Sequence, residues 1–285
     1  DAYFASTGTG WLVGVGMVML FGAVNAFGIR VFSRLEIVLT IGVWVTLMAF
    51  GVLGVLMAPA SGVESYFGES SVGTSLPTIL SMVGMAMFMF VGFEFVTPLA
   101  AEMRQPERHI PRAMHLGLCL VALCMLLYGS AMVRQVANVP VEPGATVRLL
   151  ETPLAIPKLA EQVLGPAGRI WLGIGFLCAA AATINTLMAG LPRIMYGMAL
   201  DGALPRIFTY THPRLKTPLV GIAAAIAIPG IHAWILGGRL DGLANLVLAA
   251  VCAWGFAYLL VTISVIVLRV RRPDLPRPYR SPWFP

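Results

Sequence analysis

The sequence predicts an all-α integral membrane protein with seven transmembrane helices, and three observations carry that reading. Hydrophobic residues make up 58% of the 285 and charged residues 11%, against about 25% charged in an ordinary soluble domain; mean hydropathy is +0.85. Seven stretches carry no Asp, Glu, Lys or Arg: residues 2–29, 37–63, 70–93, 113–133, 170–192, 217–238 and 242–268. Each exceeds the roughly 18 residues that a helical span needs. Finally, the charge alternates between connections. Arg30 and Arg34, then Arg104, Arg108 and Arg112, then Arg193, Arg206, Arg214 and Lys216, then Arg269, Arg271, Arg272, Arg277 and Arg280 take fourteen of the nineteen basic residues. By the positive-inside rule these face the cytoplasm, so residue 1 lies outside and residue 285 inside, in a cell membrane crossed many times.

Composition also excludes several classes. The net charge of +6 is spread over loops without exposed aromatics between the charges, so no nucleic-acid partner is expected. Cys119, Cys124, Cys178 and Cys252 all lie in apolar spans with no CxxC pair and no His at ligand spacing. They read as small buried hydrophobes, and neither a metal nor a cofactor is expected. No HExxH or GxSxG constellation points to an enzyme. The chain opens on Asp1 with no basic region before its first apolar run, so a cleaved signal peptide is not expected and the start reads as a truncation.

In chain order, the first two spans form a helical hairpin turning at residues 30–34, with Asn25 and Gly28 placed for close packing on a neighbour. Thr40 in the second span reads as bonded to its own helix. A short Gly, Ser and Glu loop over residues 62–75 leads to the third span, opened by Pro77. Residues 104–112 read as a basic turn limited by Pro106 and Pro111, before the fourth span. The connection over 134–168 is too long for a turn, and its apolar repeat over 154–164 predicts a short helix at the outer mouth. The fifth span, from residue 170 to about Leu200, contains AAAATINTLMAG, in which Thr183, Asn185 and Thr186 are the polar group at mid-depth. They serve either as interhelical glue or as a substrate or ion contact. Thr217 is expected to cap the sixth span, which carries Pro229 and His232, the latter read as a packing residue; the seventh runs into a basic, proline-rich exit.

The third span is the exception. A continuous helix from Leu76 to Met103 would be about 42 Å long, more than the roughly 30 Å hydrocarbon core requires. Gly92 and Pro98 weaken helical hydrogen bonding, and Glu94 sits among Phe88, Phe90, Phe93 and Phe95. A carboxyl at this depth costs about 2.5 to 3.5 kcal/mol on insertion scales, so it faces a cavity, a partner or a proton. These features predict a helix broken near Val91 to Glu94, whose freed backbone groups line protein or a site. Glu94 is accordingly expected to titrate during a functional cycle or to position a group that does; the plainer reading is a structural carboxyl paired with a neighbouring helix.

Three stretches then carry a family resemblance: FVGFEFVTPLAAEMRQPERHIPRA, RIMYGMALDGALPRIFTYTHPRLKTP and LRVRRPDLPRPYRSPWFP. They resemble the sixth helix with its following loop, the end of the eighth helix with its loop, and the segment after the tenth helix of the amino acid, polyamine and organocation permeases. In order and spacing the chain is similar to helices four to ten of that twelve-helix transporter. The resemblance implies a single transporter domain over 1–285 in an inverted-repeat (5+5) fold, with 11–57 the end of the first repeat, 76–268 the second and 269–285 a cytoplasmic tail. The Gly-rich first helix of the family, and its other end helices, have no counterpart here.

The resemblance implies a secondary active transporter working by alternating access, as a proton-coupled symporter or an exchanger. Its partners would be an amino acid or polyamine, the lipid bilayer, and a proton or other coupling ion. Phe88 matches the family's aromatic gate, and the carbonyls of Phe88 and Val91 match those that receive the substrate ammonium. Phe90, Gly92, Glu94 and Asn185 join them as substrate-binding candidates, and Glu94 and Thr183 are the coupling candidates. Some proton-coupled relatives carry a lysine in the fifth helix; nothing basic lies between Arg34 and Arg104, which argues against lysine-based coupling. Seven spans with an outside start also fit a heptahelical receptor or sensor, but the last span has no lysine for a retinal Schiff base. On the sequence alone, 285 residues holding one broken helix of the two are not expected to transport by themselves.

Overall fold

The computed structural model describes residues 10–58, 75–136, 139–143, 146–152, 155–236 and 240–276. Among them are seven α-helices in chain order: α1 Gly10–Ala26, α2 Ile29–Leu56, α3 Leu76–Phe88, α4 Pro106–Val136, α5 Ala155–Leu200, α6 Leu219–Leu236 and α7 Leu240–Arg271. Every uncharged run of the sequence thus becomes a helix. Four segments are long and apolar enough to cross a membrane, namely α2, α4, α5 and Ala249–Arg271 within α7. The chain divides into two compact units. One comprises Asp1–Ile29, Ser75–Leu116 and Leu187–Pro285, the other Arg30–Thr74 and Gly117–Thr186.

The second unit is built on an antiparallel seam between α2 and α5 in constant register. Glu36 meets Asn185, Gly42 lies under Cys178, Thr46 presses on Gly175 and takes a hydrogen bond from the Trp171 indole, and Phe50 packs edge-on against Trp171 at 5.6 Å. Small residues make the approach possible: a Cβ on Gly175 would collide with Thr46. Phe50, Ala131, Val136, Leu159 and Ala160 form the core of this unit, with Gly51 and Gly54 admitting α4. The last carbonyls of α2, which have no intrahelical donor, are closed from α4: Arg134 Nη1 donates to Val55 O at 3.3 Å and Gln135 Nε2 to Gly54 O at 3.0 Å.

In the first unit α1 packs on α6, where Gly22 meets Ile226 and Thr217 Oγ1 donates to Ala26 O at 3.3 Å. The expected outer helix begins at Ala155; it is joined to the long part of α5 by non-helical Leu164 and Gly165, the latter at φ 60°.

Several boundaries differ from the sequence reading. The first hairpin turns at Phe27 and Gly28 (φ 103°), and residues 30–34 already belong to α2. Likewise α4 starts at Pro106 and runs through Pro111. Proline suits a first helical turn, where its missing N–H has no partner to lose, so the basic turn shrinks to residues 103–105. The Thr217 hydroxyl is spent on Ala26 rather than capping α6, and Thr40 bonds the Glu36 carboxylate at 3.4 Å rather than a helix carbonyl. Asn25 donates to Phe21 O in its own helix at 2.9 Å, and His232 lies exposed with its Nδ1 on Ile228 O at 2.8 Å. Of the four cysteines only Cys124 is buried within the chain, and Cys119 and Cys252 face outward. The loop at 62–74, Leu154, and the exit at 277–285 lie outside the described residues.

Candidate functional site

The third apolar run breaks where the sequence predicts. Helix α3 closes at Phe88, residues 89–92 turn, and residues Phe93–Glu102 form a 3-10 helix that contains Pro98. Gly92 permits the break: its φ of 120° with ψ −25° is a left-handed conformation that a Cβ would strain, and nothing lies within 4 Å of where that Cβ would be. Among the described residues, Met89 and Phe90 donate back to Ala86 O and Met87 O, and Phe95 donates to Gly92 O. Outside the regular helices no described backbone amide donates to the carbonyls of Phe88, Met89, Phe90 or Val91. Such groups are sustainable at membrane depth only against protein or a site.

Glu94 fastens the break. One carboxylate oxygen accepts the Gly92 N–H at 2.8 Å, the other the Trp254 indole N–H at 2.7 Å, and Thr97 Oγ1 donates to Glu94 O at 2.8 Å. The next residue, buried Phe95, lies 6.1 Å from the Trp254 ring on one side and against Gly190 of α5 on the other, where a Cβ would collide with it. At the far end of the 3-10 helix, Arg193 and Glu102 form an ion pair at 2.5 Å with side chains 14% and 33% exposed. Two of the blocks singled out in the sequence are thereby joined: the one holding Glu94 to Glu102 and the one starting at Arg193.

A cavity of about 90 Å³ lies beside the break. Gly84, Met87 and Val91 line one wall, and Trp254, Gly255 and Tyr258 belong to the α7 wall. The Tyr258 hydroxyl is buried beside the Glu94 carboxylate and the Trp254 indole, and makes no hydrogen bond of normal geometry among the described residues.

Of the predicted site residues, Phe90, Val91, Gly92 and Glu94 come together at this break, each half-buried. The Phe88 side chain lies outside the described residues. Asn185 and Thr183 belong to the other unit. Asn185 is wholly buried and donates to Glu36 Oε2 at 2.8 Å and to Phe32 O at 3.4 Å; Thr186 donates to Glu36 Oε1 at 3.0 Å. Thr183 donates to Ala179 O of its own helix. The sequence reading missed Trp254, Tyr258 and Glu36. The spacing of Trp254 and Tyr258, one helical turn apart in the seventh span, was the available signal for the first two. No group of three or more His, Cys, Asp or Glu among the described residues is arranged to hold a metal.

Comparison with known proteins agrees with this architecture. The family model described as amino acid permease matches residues 2–285. The chain is similar to the branched-chain amino acid permease BcaP of Bacillus subtilis, 29% identical over 213 residues, which is 73% of this chain and 42% of the relative. It is also similar to cationic amino acid transporter 4 of Homo sapiens, 26% identical over 266 residues, 92% of this chain and 39% of the relative. A third relative is the b(0,+)-type amino acid transporter 1 of Mus musculus, 27% identical over 280 residues, 96% of this chain and 53% of the relative. The chain spans about half the length of the curated relatives it matches. Its apolar helices and the extent of the match make it a multi-pass membrane protein. The chain belongs to the amino acid permease family.

Proposed function

We propose that these residues form part of a secondary active transporter that moves amino acids across a cell membrane by alternating access. The observation that carries the reading is the broken helix: open backbone carbonyls at residues 88–91, a left-handed Gly92 and a carboxylate two residues on. In this reading the carbonyls of Phe88 and Val91 receive the substrate ammonium, and Phe88 closes over it as a gate. Phe90 and Gly92 shape the turn. Glu94 is the coupling residue, exchanging a proton or holding the backbone of the group that does, in symport or exchange. Asn185 and Thr183 are the candidates on the long fifth-span helix. Residues 11–57 would complete a first repeat and 76–268 form a second, inverted one, with the Arg104 and Arg206 loops cytoplasmic.

A receptor gains nothing from freed carbonyls at membrane depth, whereas an ammonium substrate needs acceptors there. The test is uptake of labelled amino acids by the full-length gene product in liposomes with and without a proton gradient. Saturable uptake above empty vesicles is expected, and its absence across the amino acid panel would overturn the reading. Cysteine-accessibility labelling of the Arg104 and Arg206 loops checks the orientation, which fails if either is reached from outside.

A further inference from the structure

The cavity beside the break bears on which amino acid is carried. We propose that it receives the substrate's side chain and that the substrate is therefore a short aliphatic amino acid; this rests on the transport reading above. Val91 supplies the link, since its carbonyl is one of the open acceptors and its side chain lines the cavity, so a substrate whose ammonium is held there has its own side chain beside this wall. The volume, about 90 Å³, is well below the roughly 150 Å³ of a cavity that accepts benzene. It suits three or four carbons better than an aromatic ring.

The lining selects chemistry as well as size. No charged side chain contributes to it. Its indole N–H is already given to Glu94, and the Glu94 carboxylate already accepts two N–H groups. The remaining polar group of the described lining is the Tyr258 hydroxyl, which lies beside the same carboxylate. A guanidinium with five donors, or an ammonium with three, would lose its water against a lining whose polar side chains are one indole and one phenol, and most of its donors would go without an acceptor. An aliphatic group loses nothing, and each methylene it buries strengthens binding by roughly four-fold.

The cavity exists because Gly84 and Gly255 have no side chains. A Cβ built on either meets nothing within 4 Å, so a side chain can start from both walls without backbone rearrangement. The experiment is competition for uptake by alanine, leucine, phenylalanine and arginine, using the full-length gene product in liposomes, with Gly255→Leu and Gly84→Leu as two independent fillings. Leucine should compete best in the unmodified protein, and each filling should reduce the leucine-to-alanine affinity ratio by more than about ten-fold. Preferred transport of arginine or phenylalanine would overturn the assignment while leaving amino acid transport intact. An unchanged ratio in both fillings would also overturn it. Failure of every amino acid to enter would instead reject the transport reading on which it rests.

Discussion

Glu94 and Glu36 are both carboxylates on apolar helices, and neither has a cationic side chain within ion-pair distance among the described residues. What differs is the kind of donor each meets. Glu94 accepts two N–H groups, the Gly92 amide and the Trp254 indole, which can donate and nothing else, and the Tyr258 hydroxyl beside it makes no bond of normal geometry. Glu36 is held on one oxygen by the Asn185 amide and on the other by the hydroxyls of Thr186 and Thr40, which can reverse and accept. The backbone differs too. Around Glu36 the helices are continuous and in register, so every carbonyl is satisfied by the helix itself, and the carboxylate joins two helices. Around Glu94 the helix is interrupted, and the carboxylate fastens a turn to whose carbonyls no described amide outside the regular helices donates. A half-buried acid of the first sort stabilises a seam; one of the second sort, in the reading proposed above, sits at a site.

Replacing each glutamate by glutamine separates the two. At Glu94 the new NH2 must face either the Gly92 N–H or the Trp254 N–H, so one buried donor loses its acceptor and meets another donor. Glu94→Gln should cost about 2 kcal/mol in thermal unfolding of the full-length gene product and should depress transport severely. Uptake at the original rate with the original pH dependence would show that Glu94 neither couples nor positions. Gly92→Ala comes next in size. No atom lies within 4 Å of the added methyl, so the whole effect is conformational, about 1–2 kcal/mol for a left-handed alanine. It should be accompanied by weakened substrate affinity as the turn reshapes. An alanine variant as stable and as tight-binding as the original would mean that the turn is not held in this conformation.

The break was legible in sequence because Gly92, Glu94 and Pro98 fall within seven residues, a combination that lipid does not tolerate in a continuous helix. Its partner was not, because Trp254 is 160 residues away and its spacing to Tyr258 marks a helix face without saying which residue that face meets. The seven helices were legible from uncharged runs, but several of their ends were not. Residues 30–34 and 106–112 are charged or proline-bearing and yet helical, since charge marks where lipid ends while a helix ends where the backbone breaks, at Gly28 and at Gln105 (φ 50°). Asn185 stood equally between glue and ligand contact. Its partners Glu36 and Phe32 O come from a helix distant in sequence, which no local pattern reveals.

Trp254→Phe probes the hold on Glu94 from the other helix. The ring face toward Phe95 is largely kept and one interhelical hydrogen bond is lost, so the expected cost is about 0.6–1 kcal/mol, the scale measured for such bonds in membranes. Substrate affinity should fall more than stability does, because the freed carboxylate no longer fixes the turn; equal and negligible changes in both would separate α7 from the site.

The smallest effect is expected for Glu36→Gln, and it is the sharpest test of the comparison. With its carbonyl in place of Oε2, glutamine still accepts from Asn185; with its NH2 in place of Oε1, it donates to the hydroxyls of Thr186 and Thr40, each of which turns to accept. Every group remains satisfied and the side-chain volume barely changes, so stability should move by no more than about 0.5 kcal/mol. Transport should keep its rate and its dependence on the proton gradient, because a seam needs acceptors and donors but no charge. Glu36→Ala is the control. It takes from the fully buried Asn185 amide its 2.8 Å acceptor, and a cost of about 2 kcal/mol is expected. If glutamine at position 36 abolished proton dependence while leaving stability intact, the ionised form of Glu36 would itself be needed, and coupling would belong to the α2 and α5 seam rather than to the broken helix.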